Sequence, residues 1–287
     1  MTPTLRAALW MTGAIASFSA MAVAGRQVSF ALDTFEIMLY RSLTGIVIVC
    51  AAASLTRSWD QVGTRDLGLH AIRNLAHFTG QNLWFFAVAS IPLAQVFSLE
   101  FTSPIWVLLL SPLLLGERLT SRGLVAAAIG FAGVLLVTRP GSAPITPGLV
   151  AAAGCAIFFA LTAIFTRKLT RTHRITDILF YLTTMQAVFG LVCAGFDGDI
   201  ALPGARTAPW LLLIGCAGLA AHWCLTTALS LAPATVVMPI DFVRLPAIAL
   251  VGAVFYGERI DSALIAGAAL ILVGNWVNLT RSRPKPA

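Results

Sequence analysis

Charged side chains are scarce in this sequence. Lys, Arg, Asp and Glu make up 11% of its 287 residues, where a soluble domain carries about 25%. A chain that is 58% hydrophobic with so few charges has too little polar surface to cover a water-facing globule. A soluble domain is therefore excluded, and lipid is the solvent for most of the chain. Period-2 alternation of apolar and polar residues is missing too, which excludes a membrane β-barrel. Helices remain, because backbone polar groups in lipid must be satisfied within the segment. Five cysteines (Cys50, Cys155, Cys193, Cys216, Cys224) are present, all in apolar runs and none in a CxxC pair. Neither a disulfide nor a metal site is expected from them. The sequence has no HExxH or GxSxG motif, so an intramembrane enzyme has no visible machinery. It has no GxxxxGK[ST] motif, so transport would not be driven directly by ATP. No cofactor is expected. The net charge of +7 lies in short loops without a basic, aromatic-bearing patch, and no nucleic-acid partner is expected.

What the chain does have is a series of apolar runs of helix-spanning length. They fall near 5–25, 34–55, 67–89, 93–115, 121–138, 147–166, 177–195, 208–230, 234–256 and 262–280. This predicts ten spans. The first resembles a signal peptide, with Arg6 before an apolar stretch and an Ala-rich end. Its counterpart near 147–166 lies mid-chain, so the first span is expected to be a permanent helix.

The sequence also repeats itself. GERLTS at 116–121 returns as GERIDS at 257–262, an offset of 141 residues. At that same offset Gly13 meets Gly154, Phe18 meets Phe159, Arg26 meets Arg167, and Glu36 meets Asp177. Tyr40 meets Tyr181, Arg65 meets Arg206, Pro92 meets Pro233, Glu100 meets Asp241, Phe101 meets Phe242, and Gly133 meets Gly274. Shared Ala and Leu would mean little, but shared Arg, Pro, Tyr and acids at one offset indicate duplication. The halves are 1–141 and 142–287. Five spans per copy is an odd number, so the second copy enters the membrane inverted, as in many secondary transporters.

Basic residues orient the chain. With the N-terminus inside, the inner segments carry twelve: Arg6, Arg57, Arg65, Arg118, Arg122, Arg167, Lys168, Arg171, Arg174, Arg281, Arg283 and Lys285. The outer segments carry four: Arg26, Arg139, Arg206 and Arg259. Both termini are expected in the cytoplasm of a bacterial inner membrane.

Ten helices in two copies, each with a GER[LI] turn before its last helix, resemble the EamA-type exporters of the drug/metabolite transporter superfamily. The stretches "LEFTSPIWVLLLSPLLLGER" (99–118) and "PIDFVRLPAIALVGAVFYGER" (239–259) carry the resemblance most clearly. It implies export of small metabolites by alternating access around a central cavity. Within the superfamily the sequence looks most like bacterial amino-acid exporters, including those for aromatic amino acids. One chain holds both inverted halves, so a monomer suffices.

Gly116 and Gly257 are suited to ending a helix, and Thr120, Ser121, Asp261 and Ser262 to capping the next. The GER charges are expected at the membrane edge, away from substrate. Small residues at Ala126, Gly130 and Gly133, and at Ala263, Gly267 and Gly274, suit close packing of the fifth and tenth spans. The resemblance suggests that these two pack together, leaving the other eight to line the pathway.

Polar residues inside spans are costly and tend to face the interior. The third span carries His70, Arg73, Asn74, His77, Gln81 and Trp84 on one helical face. His77, Gln81 and Trp84 lie nearer mid-membrane and are candidate substrate contacts. His222 stands at the repeat position of Gln81, with Trp223 beside it. Gln95, Ser98, Thr102 and Trp106 share a face of the fourth span, and Phe18 and Phe159 could form apolar walls. Arg41, Glu100, Asp241 and Arg244 are charges deep within spans. Asp241 and Arg244 are three residues apart and suited to pairing, with Pro239 and Pro246 flanking them as a potential bend. Ser103 stands where the first repeat would need its matching Arg. The polar stripes put spans three, four and eight at the cavity wall, and repeat symmetry with the family resemblance implies spans one, six and nine beside them. A channel would need a continuous polar pore, and these stripes are interrupted by bulky apolar residues.

Overall fold

The fold was analysed in a computed structural model, which describes residues 1–117, 119–138, 145–196, 198–256 and 262–279. Arg118, Arg139, Gly257, Arg259, Asp261, Arg281, Arg283 and Lys285 lie outside the described residues, as do the side chains of Ser98 and Pro246.

The described residues form an all-helical bundle. The first repeat runs α1 (Pro3–Val28), α2 (Thr34–Leu55), α3 (Leu67–Ser90), α4 (Leu93–Glu100), α5 (Ser103–Leu115) and α6 (Ser121–Thr138). The second runs α7 (Pro147–Leu169), α8 (Ile175–Ala194), α9 (Ala208–Leu231), α10 (Ala234–Ile240), α11 (Arg244–Tyr256) and α12 (Ser262–Leu279). Five helices, α1, α2, α7, α8 and α9, are long and apolar enough to cross a membrane. The 24-residue α3 matches them in length, and its polar stripe is what lowers its hydropathy.

Local chemistry explains the ends. Thr2 and Thr146, repeat positions within three residues of each other, cap α1 and α7, each followed by a proline in the first turn. Asp33 and Glu36 form a reciprocal capping box at α2. Gly116 ends α5 at a φ of 66°, a left-handed conformation that favours glycine. Thr120 Oγ1 accepts from Gly123 N at 3.0 Å and caps α6, as expected.

The fourth and ninth spans are not continuous helices. The expected span 93–115 breaks at Phe101 and Thr102, between α4 and α5. Pro104 is the cause in the sequence: it brings no N–H, and its ring would clash with the carbonyl four residues back, at Glu100. The expected span 234–256 breaks at a 3-10 turn, Asp241–Val243, between α10 and α11. That bend was anticipated from Pro239 and Pro246; its partner in the first repeat was not. The breaks fall on repeat mates, so Glu100 ends one half-helix and Asp241 follows another.

The four most extensive helix packings all cross between repeats: α1 with α9, α3 with α7, α2 with α8, and α6 with α12. Exchanging the repeats converts the first pair into the second and returns the other two to themselves. The halves are thus interleaved about a pseudo-twofold axis, as an inverted duplication requires. The pairing of α6 with α12 is the expected contact of the fifth and tenth spans. Gly274 makes it close: a Cβ there would lie 2.8 Å from the Ala126 carbonyl oxygen and 3.0 Å from Gly130 N.

Candidate functional site

A cavity of about 590 Å³, counted with its mouth, lies on the pseudo-twofold axis. Its walls are Met11, Phe18 and Met21 from α1, His77, Gln81 and Trp84 from α3, and Glu100 and Ser103 at the α4–α5 break. The second repeat supplies Phe159, Thr162 and Ala163 from α7, His222 and Leu225 from α9, and Met238, Asp241 and Arg244 around the α10–α11 break. These are the six spans expected from the stripes, the repeat and the family resemblance. At the 141-residue offset, Phe18 mates with Phe159, Met21 with Thr162, Gln81 with His222, Trp84 with Leu225, Glu100 with Asp241, and Ser103 with Arg244. The axis therefore passes through the cavity.

The helix breaks build its charged end. Arg244 donates to Asp241 Oδ2 at 2.7 Å and also to Glu100 Oε1 from the other repeat. Trp84 Nε1 donates to the other oxygen of Glu100 at 2.6 Å. One guanidinium thus serves two carboxylates, and the missing Arg at Ser103 is explained: Glu100 borrows the arginine of its mate's repeat. Phe18, Phe97 and Phe101 place their ring centroids 5.1–5.2 Å from the Arg244 guanidinium carbon. Their ring faces stabilise the cation where water is scarce.

Beside Phe18 the lining continues as a pair of imidazoles. His77 and His222 meet edge to face with centroids 4.6 Å apart. Phe18 lies 5.5 Å from His222, and Phe159 lies 6.4 Å from His77. Both nitrogens of both histidines, together with Gln81 Nε2, Asp241 Oδ1 and Arg244 Nε, are buried without a hydrogen-bond partner among the described residues. Buried polar groups without partners are costly. Here they converge on one cavity and present both donors and acceptors to whatever enters.

Nine of the eleven candidate residues come together: His77, Gln81, Trp84, His222, Phe18, Phe159, Glu100, Asp241 and Arg244. Gln95 and Thr102 do not line the cavity. Thr102 Oγ1 donates to its own helix at the Leu99 carbonyl, 2.7 Å away, which supports the break. Trp106 and Trp223 are also elsewhere, on exposed surface. Arg41 is buried between α2, α8 and α9, bordering a smaller space with Ser42, Gly45, Thr183 and Gln186. Met11, Met21, Thr162, Ala163, Leu225 and Met238 were missed, and Ser103 was noted only as the position without a matching arginine. In an apolar helix a methionine or threonine reads as lipid-facing; taking the repeat mate of each candidate would have recovered Leu225 and Ser103.

The stripe on α3 divides into two parts. Its upper half faces the cavity, while Arg73 donates to Thr166 Oγ1 at 3.1 Å and Asn74 donates to the Tyr181 carbonyl at 3.2 Å. That half fastens α3 to α7 and α8. Of the first GER turn's charges, Glu117 lies within the described residues and outside the cavity lining. Glu117 pairs with Arg167 at 3.5 Å and accepts from Ala234 N and Thr235 N at 3.4 Å. It is held by protein at the start of α10, because that helix end exposes N–H groups needing an acceptor.

An inverted helical repeat with discontinuous helices meeting at a central polar cavity defines a membrane transporter. The chain belongs to the EamA-like transporter family, whose pattern matches residues 5–139 and again 146–280. It is similar to a riboflavin transporter of Vibrio cholerae, at 28% identity over 94% of this chain and 91% of the relative. A riboflavin transporter of Rhizobium johnstonii is 31% identical over 76% of this chain and 73% of the relative. The pseudopaline exporter CntI of Pseudomonas aeruginosa is 28% identical over 90% of each chain. A crystal structure with 22% sequence identity superposes with a TM-score of 0.77, covering 94% of this chain and 95% of its own. That likeness speaks to the fold alone.

Proposed function

We propose that this transporter carries a small, neutral, ring-bearing metabolite with several hydrogen-bonding edges, and that riboflavin is the first compound to test. The observation that carries this reading is the state of Arg244. Its charge is already balanced by Glu100 and Asp241, both through Nη2, so a substrate carboxylate would meet a cation without surplus positive charge. What the cavity offers instead is a lining of Phe18, Phe159, Trp84 and the two imidazoles, with unpartnered polar atoms between them. Flat heteroaromatic ligands satisfy such a lining by stacking and edge hydrogen bonds. The similarity to riboflavin transporters supports the same substrate class.

Export of amino acids, aromatic ones in particular, is the second reading, favoured by the same aromatic lining. It requires Asp241 or Glu100 to release Arg244 to the substrate carboxylate. In either case alternating access arises as the repeats 1–141 and 142–287 rock about the cavity, in a single chain with both termini cytoplasmic in the bacterial inner membrane. Reconstitution in liposomes distinguishes the readings. Saturable, trans-stimulated riboflavin flux is expected, with tryptophan and phenylalanine neither carried nor competing. Carried aromatic amino acids with static riboflavin would replace the first reading with the second, and linear, unsaturable flux would indicate a channel.

A further inference from the structure

Away from the cavity, Asp66 and His70 at the start of α3 meet His173 of the α7–α8 turn and Asp177 in the first turn of α8, four ionisable side chains in one place. His70 Nε2 lies 3.4 Å from Asp177 Oδ2, and His173 Nδ1 lies 2.5 Å from that same oxygen. The ligand atoms of His70, His173 and Asp177 all fall within 4.8 Å of one another. We propose that these three residues form a metal site for a borderline first-row divalent cation of the zinc class, fastening the two repeats together at this face.

Three observations carry it. First, the donor set is two imidazoles and a carboxylate, the combination that binds zinc with a coordination position left open. At zinc–ligand distances of about 2.0–2.2 Å, tetrahedral ligands stand roughly 3.3–3.5 Å apart, which the His70–Asp177 separation already matches. Second, His70 is fully buried and neither of its nitrogens has a hydrogen-bond partner among the described residues, though Nε2 faces the Asp177 carboxylate at 3.4 Å. The Tyr181 ring, 4.5 Å away by centroid, holds it there. Third, the supporting groups are those that orient metal ligands. Asp66 Oδ2 lies 3.1 Å from His173 Nε2, and Gly63 N donates to Asp177 Oδ1 at 3.2 Å. Asp66 precedes α3 in a left-handed conformation (φ 54°), and its side chain makes no cap hydrogen bond; among the described residues it pairs with His173 and, at 3.6 Å, with the exposed Arg65. The carboxylate is thereby aimed at the imidazole.

Binding needs Nε2 of His70 and Nδ1 of His173 without protons, so any proton on either is released to solvent as the ion enters. His173 Nδ1 and Asp177 Oδ2 then separate by about 1 Å to ligand distance, and Asp66 orients the His173 ring through Nε2. A surface depression bordered by His173, Gln61, Thr170 and Arg174 gives entry. His70 belongs to one repeat, His173 and Asp177 to the other, and more than a hundred positions separate them in the chain. Spacing motifs therefore could not show the site.

The test is zinc binding by tag-free, detergent-purified protein, measured by competition with a chromophoric chelator and by metal analysis after desalting. One zinc per chain is expected. His70→Gln and His173→Gln should abolish retention, and Asp66→Asn, which keeps all three ligands, should weaken affinity about 10–100-fold. The double variant His77→Ala/His222→Ala should bind as tightly as the parent. Failure of the parent to retain zinc would overturn the proposal. So would retention that survives both glutamine variants, or that disappears with the cavity pair. Asp66→Asn keeps the test open if a glutamine variant misfolds, since unaltered affinity in that variant also counts against the site. None of these readouts depends on transport.

Discussion

Arg244 answers two carboxylates, and that arithmetic governs the effect of each substitution around it. Arg244→Ala leaves Glu100 and Asp241 facing each other in a buried space without a counter-charge. Breaking a buried pair this way costs about 3–5 kcal/mol, so both thermal stability in detergent and flux should fall. Asp241→Asn leaves Arg244 paired with Glu100. Its folding should suffer less, while flux per correctly folded molecule should drop about tenfold or more, equivalent to about 1.4 kcal/mol or more. Normal flux in Asp241→Asn would remove that charge from the mechanism and leave a structural bend. Trp84 separates packing from hydrogen bonding. Trp84→Phe keeps a ring in the wall but removes the donor to Glu100. A hydrogen bond to a charged group contributes about 1.5–3 kcal/mol, so the melting temperature should decrease. Trp84→Ala and His77→Ala should in addition raise the substrate concentration for half-maximal flux. Unchanged flux parameters for every compound in the panel would take these residues out of the pathway.

At the scale of elements, the helices divide into those that shape the cavity and those that hold the bundle. The α6–α12 pair belongs to the second group. A side chain at Gly274 would press on the backbone of Ala126 and Gly130, which has no rotamer to give. Gly274→Val should therefore destabilise the protein by about 1–3 kcal/mol, read as a lower melting temperature by size-exclusion after heating. Flux per folded molecule should stay near the parent value, because neither helix lines the cavity. Loss of flux without loss of stability would mean that α6 and α12 slide during transport.

The whole molecule carries a matched device at each end. Glu36 accepts from Ala201 N at 2.6 Å while Tyr40 donates to the Ala201 carbonyl at 2.8 Å. Their repeat mates do the same on the other face: Asp177 accepts from Gly63 N at 3.2 Å, and Tyr181 donates to the Gly63 carbonyl at 2.8 Å. Each repeat thus grips the loop between the second and third helices of the other. Removing one neutral hydrogen bond costs about 0.5–1.5 kcal/mol, enough to shift a near-balanced equilibrium severalfold. Tyr40→Phe and Tyr181→Phe should bias access in opposite directions, seen as opposite changes in side-specific labelling of a cysteine at Thr162. Shifts in the same direction would mean that the two grips do not act on alternate faces. The topology has its own check: a cysteine added after Pro284 should label only from the cytoplasmic side.

Composition and the 141-residue repeat were enough to establish a helical membrane protein and its inverted duplication; the polar stripes pointed to spans three, four and eight, and the family resemblance with the repeat supplied the other cavity spans. Those properties are written as periodic or compositional signals, because lipid forces every span to be apolar and leaves each polar residue as a visible exception. The acids and arginine at 100, 241 and 244, and His77, Gln81 and His222, were legible for that reason. Only the tertiary structure decided which partners they take. That Arg244 serves Glu100 and that Glu117 is held at the start of α10 depend on contacts across the two repeats, whereas the break in span four follows from Pro104 and was open to the sequence. His70, His173 and Asp177 likewise meet across the repeats. Such contacts join residues a hundred or more positions apart, and they arise from the interleaving of inverted halves, which no local pattern along the chain encodes.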